Sequence, residues 1–370
     1  MDAVRVTHVA LRDFRSYERA EAPLAPGLTV VTGANGAGKS NLLEALYFGC
    51  TGRSPRTANE RELVRFGEKV ARVTVDLEAE DGSHRLEVGV EPGEAKVLRA
   101  DGASVESLAT SPLRPLVSVF MPDRLDLVKG PPALRRAHTD QFTAAMWPAR
   151  AELKQAYGRA LGQRNALVAR GRAGGARPEL LDTWDSELAR CGLALMDVRR
   201  QALEALAEPF ARLALELGLP GEAVLRYRPR SKASTAEELQ TELAARRDDD
   251  LARGFTTHGP HRDDLELQRD ARSLRSYGSQ GQQRAALLAL LFAERELLAE
   301  RGRSPLMLLD DVMSELDVAR RERLIELLRR GGQAVVAATE PEHVPGSSDP
   351  DVLVLSVVDG TIVSHDGVPA

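Results

Sequence analysis

The 370-residue sequence predicts an α/β fold, a mixed sheet with flanking helices, interrupted by a second lobe that is mostly helical. Three observations carry that prediction. An apolar strand at Leu28 to Val31 runs directly into a glycine-rich turn and a helix. A second apolar strand, Leu306 to Leu309, ends in two aspartates near the other end of the chain. Between them, residues from Pro131 to Gly218 place their apolar side chains at helical rather than alternating spacing.

Taken in order, Val4 to Leu11 and Leu28 to Val31 read as two strands around a turn holding Phe14, Tyr17, Pro23 and Pro26-Gly27. Ser40 to Tyr47 then continues as a helix, so the whole is the strand, loop and helix entry of a nucleotide-binding sheet. Residues 70 to 120 alternate, as in Val70 to Leu77 and Arg85 to Val90, with turns at Asp81-Gly82 and Asp101-Gly102; they predict antiparallel strands beside the main sheet. Further on, Trp184, Leu188, Cys191, Leu195 and Val198 repeat at spacings of 4, 3, 4 and 3, a heptad seam continued by Ala202 and Ala205 and expected to end at Pro209. An upstream helix from about Gln141 to Ala169 faces it across the tip Gly171 to Pro178. Such a helix of about 30 residues spans about 45 Å, and the pair reads either as a short antiparallel arm or as two helices of an ordinary helical lobe. Residues 231 to 253 read as a polar helix and linker. The expected organisation is an α/β sheet lobe built from residues 1–130 and 254–370, with residues 131–253 as the helical arm lobe.

With 43% apolar and 28% charged residues the composition is that of an ordinary globular protein, long enough for one large core or two modest ones. No run of 18 apolar residues occurs, and the start Met1-Asp-Ala-Val lacks the basic-then-apolar pattern of a signal peptide. A cytoplasmic protein without membrane contact is the expectation. Cys50 and Cys191 are too few for a disulfide framework or a cysteine zinc site, and both read as core residues. The net charge of −5 means that any nucleic-acid binding relies on local basic patches.

Gly33, Ala34, Asn35, Gly36, Ala37, Gly38, Lys39 and Ser40 match the P-loop spacing without a gap. In such a loop successive backbone N–H groups close around phosphate oxygens at a helix N-terminus. Lys39 is then the point charge on the β- and γ-phosphates, Ser40 supplies a hydroxyl to Mg2+, and Asn41 lies toward the α-phosphate. ATP and Mg2+ are the expected cofactors. Asp310 is the candidate Mg2+ ligand, and Asp311 the residue that orients or deprotonates the attacking water. An aspartate is shorter than the glutamate often used there, which predicts slow turnover; the plainer reading of both aspartates is a cap after a strand. His258 and His261 beside Asp263-Asp264 suggest a metal site, but Gly259-Pro260 prevents a shared helical face. Arg53 and Arg56 are either contacts to nucleotide or DNA phosphate or solvated surface arginines.

Ser279-Gln-Gly281-Gln282-Gln-Arg284 admits two readings: an ordinary helix N-cap, or the signature turn of ABC-type ATPases, whose helix N-terminus faces a γ-phosphate held by another subunit. The order of P-loop, signature, Asp310-Asp311 and Ser314-Glu-Leu-Asp317 favours the second. That reading gives Ser279 a catalytic role, sets Gly281 and Gln282 against nucleotide, and requires an ATP-dependent homodimer. About 240 residues separate Lys39 from Ser279, more than in transporter ATPase subunits and far fewer than in chromosome-structuring ATPases.

Eight strings in order then resemble one family. They are Leu11-Arg-Asp-Phe-Arg-Ser-Tyr17; the P-loop with Glu44-Ala-Leu-Tyr47; Gly52 to Thr57; Pro122 to Gly130 with Arg135, Arg136 and Asp140; Gln163-Arg-Asn165; Gly259 to Asp264; Ser279 to Arg284; and Leu308 to Asp317. Together they are similar to the RecF family of bacterial DNA replication and repair ATPases, relatives of the SMC proteins. Departures are Gly130-Pro-Pro and Ala137-His-Thr-Asp140 in the first signature, Pro122-Asp-Arg near the switch loop, and no switch histidine directly after the last strand, where Thr339 is the candidate. The resemblance implies a weak, DNA-stimulated ATPase that dimerises on ATP and binds double-stranded and gapped DNA. It also implies RecR and RecO as partners in promoting RecA loading. The alternative is an antiphage or nuclease-associated ATPase with the same head, expected to carry a nuclease domain for which the sequence, ending at Ala370, leaves no room.

Overall fold

The computed structural model describes residues 4–108, 111, 113–171, 178–314 and 316–364; Glu315 and residues 172–177 of the expected arm tip lie outside them. In chain order come β1 (Arg5–Phe14), β2 (Tyr17–Pro23), β3 (Leu28–Thr32), α1 (Lys39–Thr51), β4 (Ala71–Ala79), β5 (Gly82–Val90), β6 (Val97–Ala100), β7 (Ala103–Ser104) and β8 (Val117–Phe120). Then follow α2 (Asp126–Lys129), α3 (Pro132–Met146), α4 (Leu153–Arg170), α5 (Pro178–Glu216), β9 (Ala223–Arg228), α6 (Ala236–Ala244) and α7 (Arg247–Arg253). Last are β10 (Asp264–Arg269), β11 (Arg272–Ser273), α8 (Leu274–Tyr277), α9 (Gln280–Ala299), β12 (Leu306–Asp310), α10 (Val318–Arg329), β13 (Ala334–Ala338), β14 (Val352–Val358) and β15 (Thr361–Ser364).

Two compact units result, one of Met1–Arg124, Glu216–Gly218 and Arg295–Ala370, the other of Leu125–Leu215 and Leu219–Glu294. The first holds two six-stranded sheets. One, ordered β15-β14-β3-β13-β12-β8, is parallel except for β15; the other, β2-β1-β4-β5-β6-β7, is antiparallel throughout. Every residue of β3, β12 and β13 is buried, as parallel strands covered on both faces require, whereas β1 and β4 alternate. Leu42, Leu43, Leu46 and Phe48 of α1 share a core with Val9, Leu11, Val73 and Val75 of one sheet and Val31, Leu308 and Val335 of the other. Burying each such side chain contributes about 1.5–3 kcal/mol, so the helix that begins at Lys39 is anchored on both sides.

The expected turn around Tyr17 is instead a strand. Tyr17, Ala20 and Ala22 are buried along β2, and the alternation of Ala20 and Ala22 is disguised because the inward residues are small. The strands of residues 71–104 join β1 and β2 in a sheet of their own, and only Val117–Phe120 enters the parallel sheet.

In the second unit the heptad seam is real but not a free arm. Leu188, Cys191, Leu195 and Val198 of α5 pack with Tyr157 and Ala160 of α4 and with Leu239 and Leu243 of α6, so the pair belongs to a helical lobe. The upstream helix is broken at Trp147-Pro148, because proline offers no N–H and drives the preceding residue out of the helical region; Trp147 has φ −134° and ψ 80°. The remaining 18-residue α4 spans only about 27 Å. Pro209, in contrast, does not end α5, which continues to Glu216. Burial of Phe210, Leu213 and Ala214 outweighs the roughly 3 kcal/mol that an internal proline costs. Residues 231–253 form two helices, α6 and α7, and an antiparallel sheet ordered β11-β10-β9 appears that no sequence pattern announced. Residues 254–294 cluster with this unit rather than with the two large sheets. Both cysteines are buried and free, and among the described residues no helix is long and apolar enough to cross a membrane.

Three of the ordered strings meet in one buried polar network. Arg135 holds Asp264 through two hydrogen bonds of 2.8 and 3.0 Å, and Arg136 donates to the Asp263 carbonyl at 2.6 Å. Arg164, fully buried, donates to Asp185 and Asp250, both at 2.6 Å, while Thr256 donates its N–H to Asn165 Oδ1 at 2.8 Å. Breaking one partner out of such a buried pair costs about 3–5 kcal/mol, which makes the network a specifier of this unit's packing. Among the described residues no group of three His, Cys, Asp or Glu side chains is placed to hold a metal. His261 Nδ1 accepts from the Tyr157 hydroxyl at 2.7 Å and its Nε2–H donates to the Thr256 carbonyl at 3.1 Å. Burial pushes its pKa down to about 4. The unfolded chain therefore binds the extra proton first, and stability falls as pH drops from about 6.5 toward 4. Denaturant unfolding at pH 5 should show about 2 kcal/mol less stability from this group than at pH 7, and His261→Gln should remove that component.

Candidate nucleotide site

The glycine-rich loop leaves the C-terminal end of β3 and enters α1. Gly33 has φ +148°, and a Cβ there would lie 2.4 Å from the Val357 carbonyl oxygen; at Gly38, φ +121°, it would lie 3.0 Å from the Tyr17 hydroxyl. Only glycine lets the loop take this path. Tyr17 donates from its hydroxyl to the Gly38 carbonyl at 2.9 Å and so backs the loop from below. No side chain caps α1 at Gly38, so its first N–H groups remain available to an anion.

Lys39 curls over the loop, its ammonium donating to the Gly33 carbonyl at 2.7 Å and the Ala34 carbonyl at 2.9 Å. Burial lowers its pKa, while the charges of Asp310 and Asp311 oppose the shift. Asp310, 7% exposed at the end of β12, is hydrogen-bonded to the Ser40 side chain. Burial raises its pKa; Ser40, Arg56 and Lys39 pull it down, while Asp311 raises it further. Asp311 is exposed and has φ 49°, a left-handed conformation that aspartate tolerates, and the Ser314 hydroxyl donates to its carbonyl at 3.2 Å. This turn separates the two carboxylates, one buried at the loop and the other facing solvent. A Ser40 hydroxyl beside the Asp310 carboxylate is the hard-oxygen pair that suits Mg2+, which binds through one or two carboxylates with phosphates and waters.

Asn41 is engaged by neighbouring side chains. Its amide donates to Ser16 Oγ at 2.9 Å and its oxygen accepts from Arg56 at 3.0 Å. Behind it lies a hub the sequence reading did not assign, the fully buried carboxylate of Glu44. It accepts from Arg15 at 2.9 and 2.8 Å, from Arg56 at 3.0 Å and from Ser54 at 2.5 Å. One acidic residue inside the apolar run Leu42-Leu43-Glu44-Ala45-Leu46 was the available signal. Arg56 is thus tied into the P-loop helix, whereas Arg53 is exposed beyond the helix C-terminus. Thr339 accepts from the Gly33 N–H through its carbonyl at 3.3 Å, and its hydroxyl pairs with His343 Nδ1 at 3.0 Å. A histidine does stand near the switch position, four residues later than the strand end suggested.

Ser279, Gly281 and Gln282 lie in the other compact unit, at the start of α9. Ser279 N–H donates to Gln282 Oε1 at 2.9 Å, and Gln282 N–H donates to Ser279 Oγ at 3.3 Å, a reciprocal capping box. The capping reading is therefore realised. Around Gly281 the space a Cβ would occupy is open, with no atom within 4 Å.

A family model described as RecF/RecN/SMC N terminal domain matches residues 5–357. The DNA replication and repair protein RecF of Streptomyces avermitilis is 36% identical over 359 residues, covering 93% of this chain and 95% of that protein. Its counterpart in Anaeromyxobacter sp. (strain Fw109-5) is 38% identical over 370 residues, covering 97% and 99%. The chain belongs to the RecF family. A solved structure of the recombination mediator protein RecF with ATP, from the RecFOR pathway, superposes with a TM-score of 0.85 at 28% identity over 98% of both chains. An SMC head domain derived from Pyrococcus furiosus gives 0.60 at 20% identity, a likeness of fold alone. The ABC-type ATPase head expected from the sequence, and the RecF-family resemblance of its motifs, are both borne out.

Proposed function

We propose that this RecF-family protein is an ATP-dependent DNA-binding protein of recombinational repair and replication that hydrolyses ATP slowly. The observation that carries the reading is the convergence of Lys39, Ser40, Asp310 and Asp311 on one uncapped helix N-terminus. Amides from Asn35 to Ser40 cradle the phosphates, and Lys39 exchanges its two carbonyl partners for phosphate oxygens. Ser40 and Asp310 hold Mg2+, which when bound supplies charge that offsets what develops on the transferred phosphoryl group. Asp311, projecting from its left-handed turn, orients the attacking water. Ser279, Gly281 and Gln282 serve the nucleotide of a second copy, so ATP joins two chains; the open space at Gly281 supports an approach from outside. The dimer engages duplex DNA near gaps, and slow hydrolysis times its release while RecR and RecO promote RecA loading.

Ser279→Arg tests the composite site. Each monomer should still bind ATP, at a cost of about 1 kcal/mol in helix capping, but the added bulk and charge should prevent ATP-induced dimerisation and hydrolysis. Light scattering with ATP and a phosphate-release assay check this. A folded variant that dimerises and turns over normally overturns the shared-site reading.

A further inference from the structure

We propose that Arg53, Arg114 and Arg303 form a phosphate-binding site for the backbone of duplex DNA, at the opposite end of the parallel strands from the nucleotide loop. The inference rests on the DNA-binding reading above and locates part of that contact. Strands β8 and β12 are parallel neighbours in which Leu306 pairs with Val117, and the Leu306 N–H donates to the Leu116 carbonyl at 2.8 Å. Arg114 and Arg303 each stand three residues before those partners, so the two lead-in segments bring them to one sheet edge. Arg53 arrives from a third direction, directly after Gly52, whose left-handed conformation (φ 69°) ends α1. The P-loop lies at the other end of that 13-residue helix, about 20 Å away, so this cluster is separate from the nucleotide site.

Arg114 is the unusual member. Its Nε is shielded from solvent and makes no hydrogen bond. Burial lowers its pKa, and the titratable groups around it are Tyr47, Cys50, Arg53 and Arg303, none of them a carboxylate. The Cys50 thiol, itself pushed up to about 12 by burial, offers no counter-charge at neutral pH. Other buried arginines have acceptors for their guanidinium: Arg164 has two aspartates, Arg135 a bidentate one, and Arg295 the Leu327 and Leu328 carbonyls. A recessed guanidinium with cationic neighbours and no acid is costly alone, and an oxyanion that accepts from the guanidinium fork relieves the cost. In a chain of net charge −5, a polyanion must be met at confined points such as this one. A phosphodiester matches, since its oxygens reach a recessed donor while its neighbours along the strand meet the exposed Arg53.

The test uses the full chain with ATP and measures affinity for a fluorescent duplex by anisotropy from 50 to about 300 mM salt. Arg114→Gln and Arg53→Gln should each weaken binding and flatten the slope of log affinity against log salt by about 0.9, and the double variant by about twice that. Arg114→Gln should keep wild-type ATP affinity and, without DNA, melt no lower than wild type, because it removes an unmatched charge rather than a bond. Should it fail to fold, the exposed Arg53→Gln carries the test through its salt slope. Wild type that binds duplex with a double variant of equal affinity and slope overturns this site while sparing the DNA-binding reading. Wild type that binds no duplex overturns both. Unchanged DNA binding with lost affinity for a polyglutamate peptide assigns the cluster to an acidic protein partner and overturns the DNA assignment.

Discussion

Lys39→Met is expected to abolish ATP binding, and with it ATP-driven dimerisation, while leaving the fold intact. The ammonium spans two loop carbonyls, Gly33 at 2.7 Å and Ala34 at 2.9 Å, and it is the flexible cation within reach of the phosphate cradle. Methionine fills a similar volume without the charge. Losing one partner of a desolvated charged contact costs on the order of 3 kcal/mol or more, a hundredfold or greater loss of affinity. The loop should persist, since its path is set by Gly33 against Val357 and by Tyr17 under Gly38, neither of which involves Lys39. Titration with a fluorescent ATP analogue, alongside a thermal melt, measures both parts. Wild-type nucleotide affinity in a folded Lys39→Met protein refutes the assignment.

Asp311→Asn is expected to lower hydrolysis by about 10²–10⁴-fold while ATP binding survives. Asparagine adopts φ near +50° as readily as aspartate, so the turn that separates the two carboxylates is preserved and only the charge on the solvent-facing one is lost. Asp310, still bonded to Ser40, keeps its place at the loop. The result should be a long-lived ATP dimer that accumulates on DNA, visible as increased light scattering with little phosphate release. Turnover at the wild-type rate removes Asp311 from the chemistry.

The two variants separate binding from chemistry because their residues come from different strands. Lys39 follows β3 and Asp311 follows β12, with β13 between them in the sheet. Local sequence gave each residue a role. That the pair lies at one end of the sheet, with Ser40 against Asp310, follows from β3 and β12, nearly 280 residues apart in sequence, both pairing in parallel with β13, for which the chain carries only the hint of apolar runs with polar ends.

By itself the sequence determined the P-loop, its helix, the buried parallel strands and the heptad seam, because each is written in contiguous residues whose spacing has one physical reading. Pro148 illustrates the boundary: its missing N–H ended a helix that apolar spacing alone carried through. Pro209 illustrates the converse, where burial of Phe210 and Leu213 outweighed a local penalty. Only the tertiary structure decided the rest. Arg15, Ser54 and Arg56 close on Glu44, and Arg164 sits between Asp185 and Asp250, through contacts between residues distant in sequence. A guanidinium's partner is chosen by which segments folding brings within about 3 Å of it, and no period or motif along the chain encodes that distance.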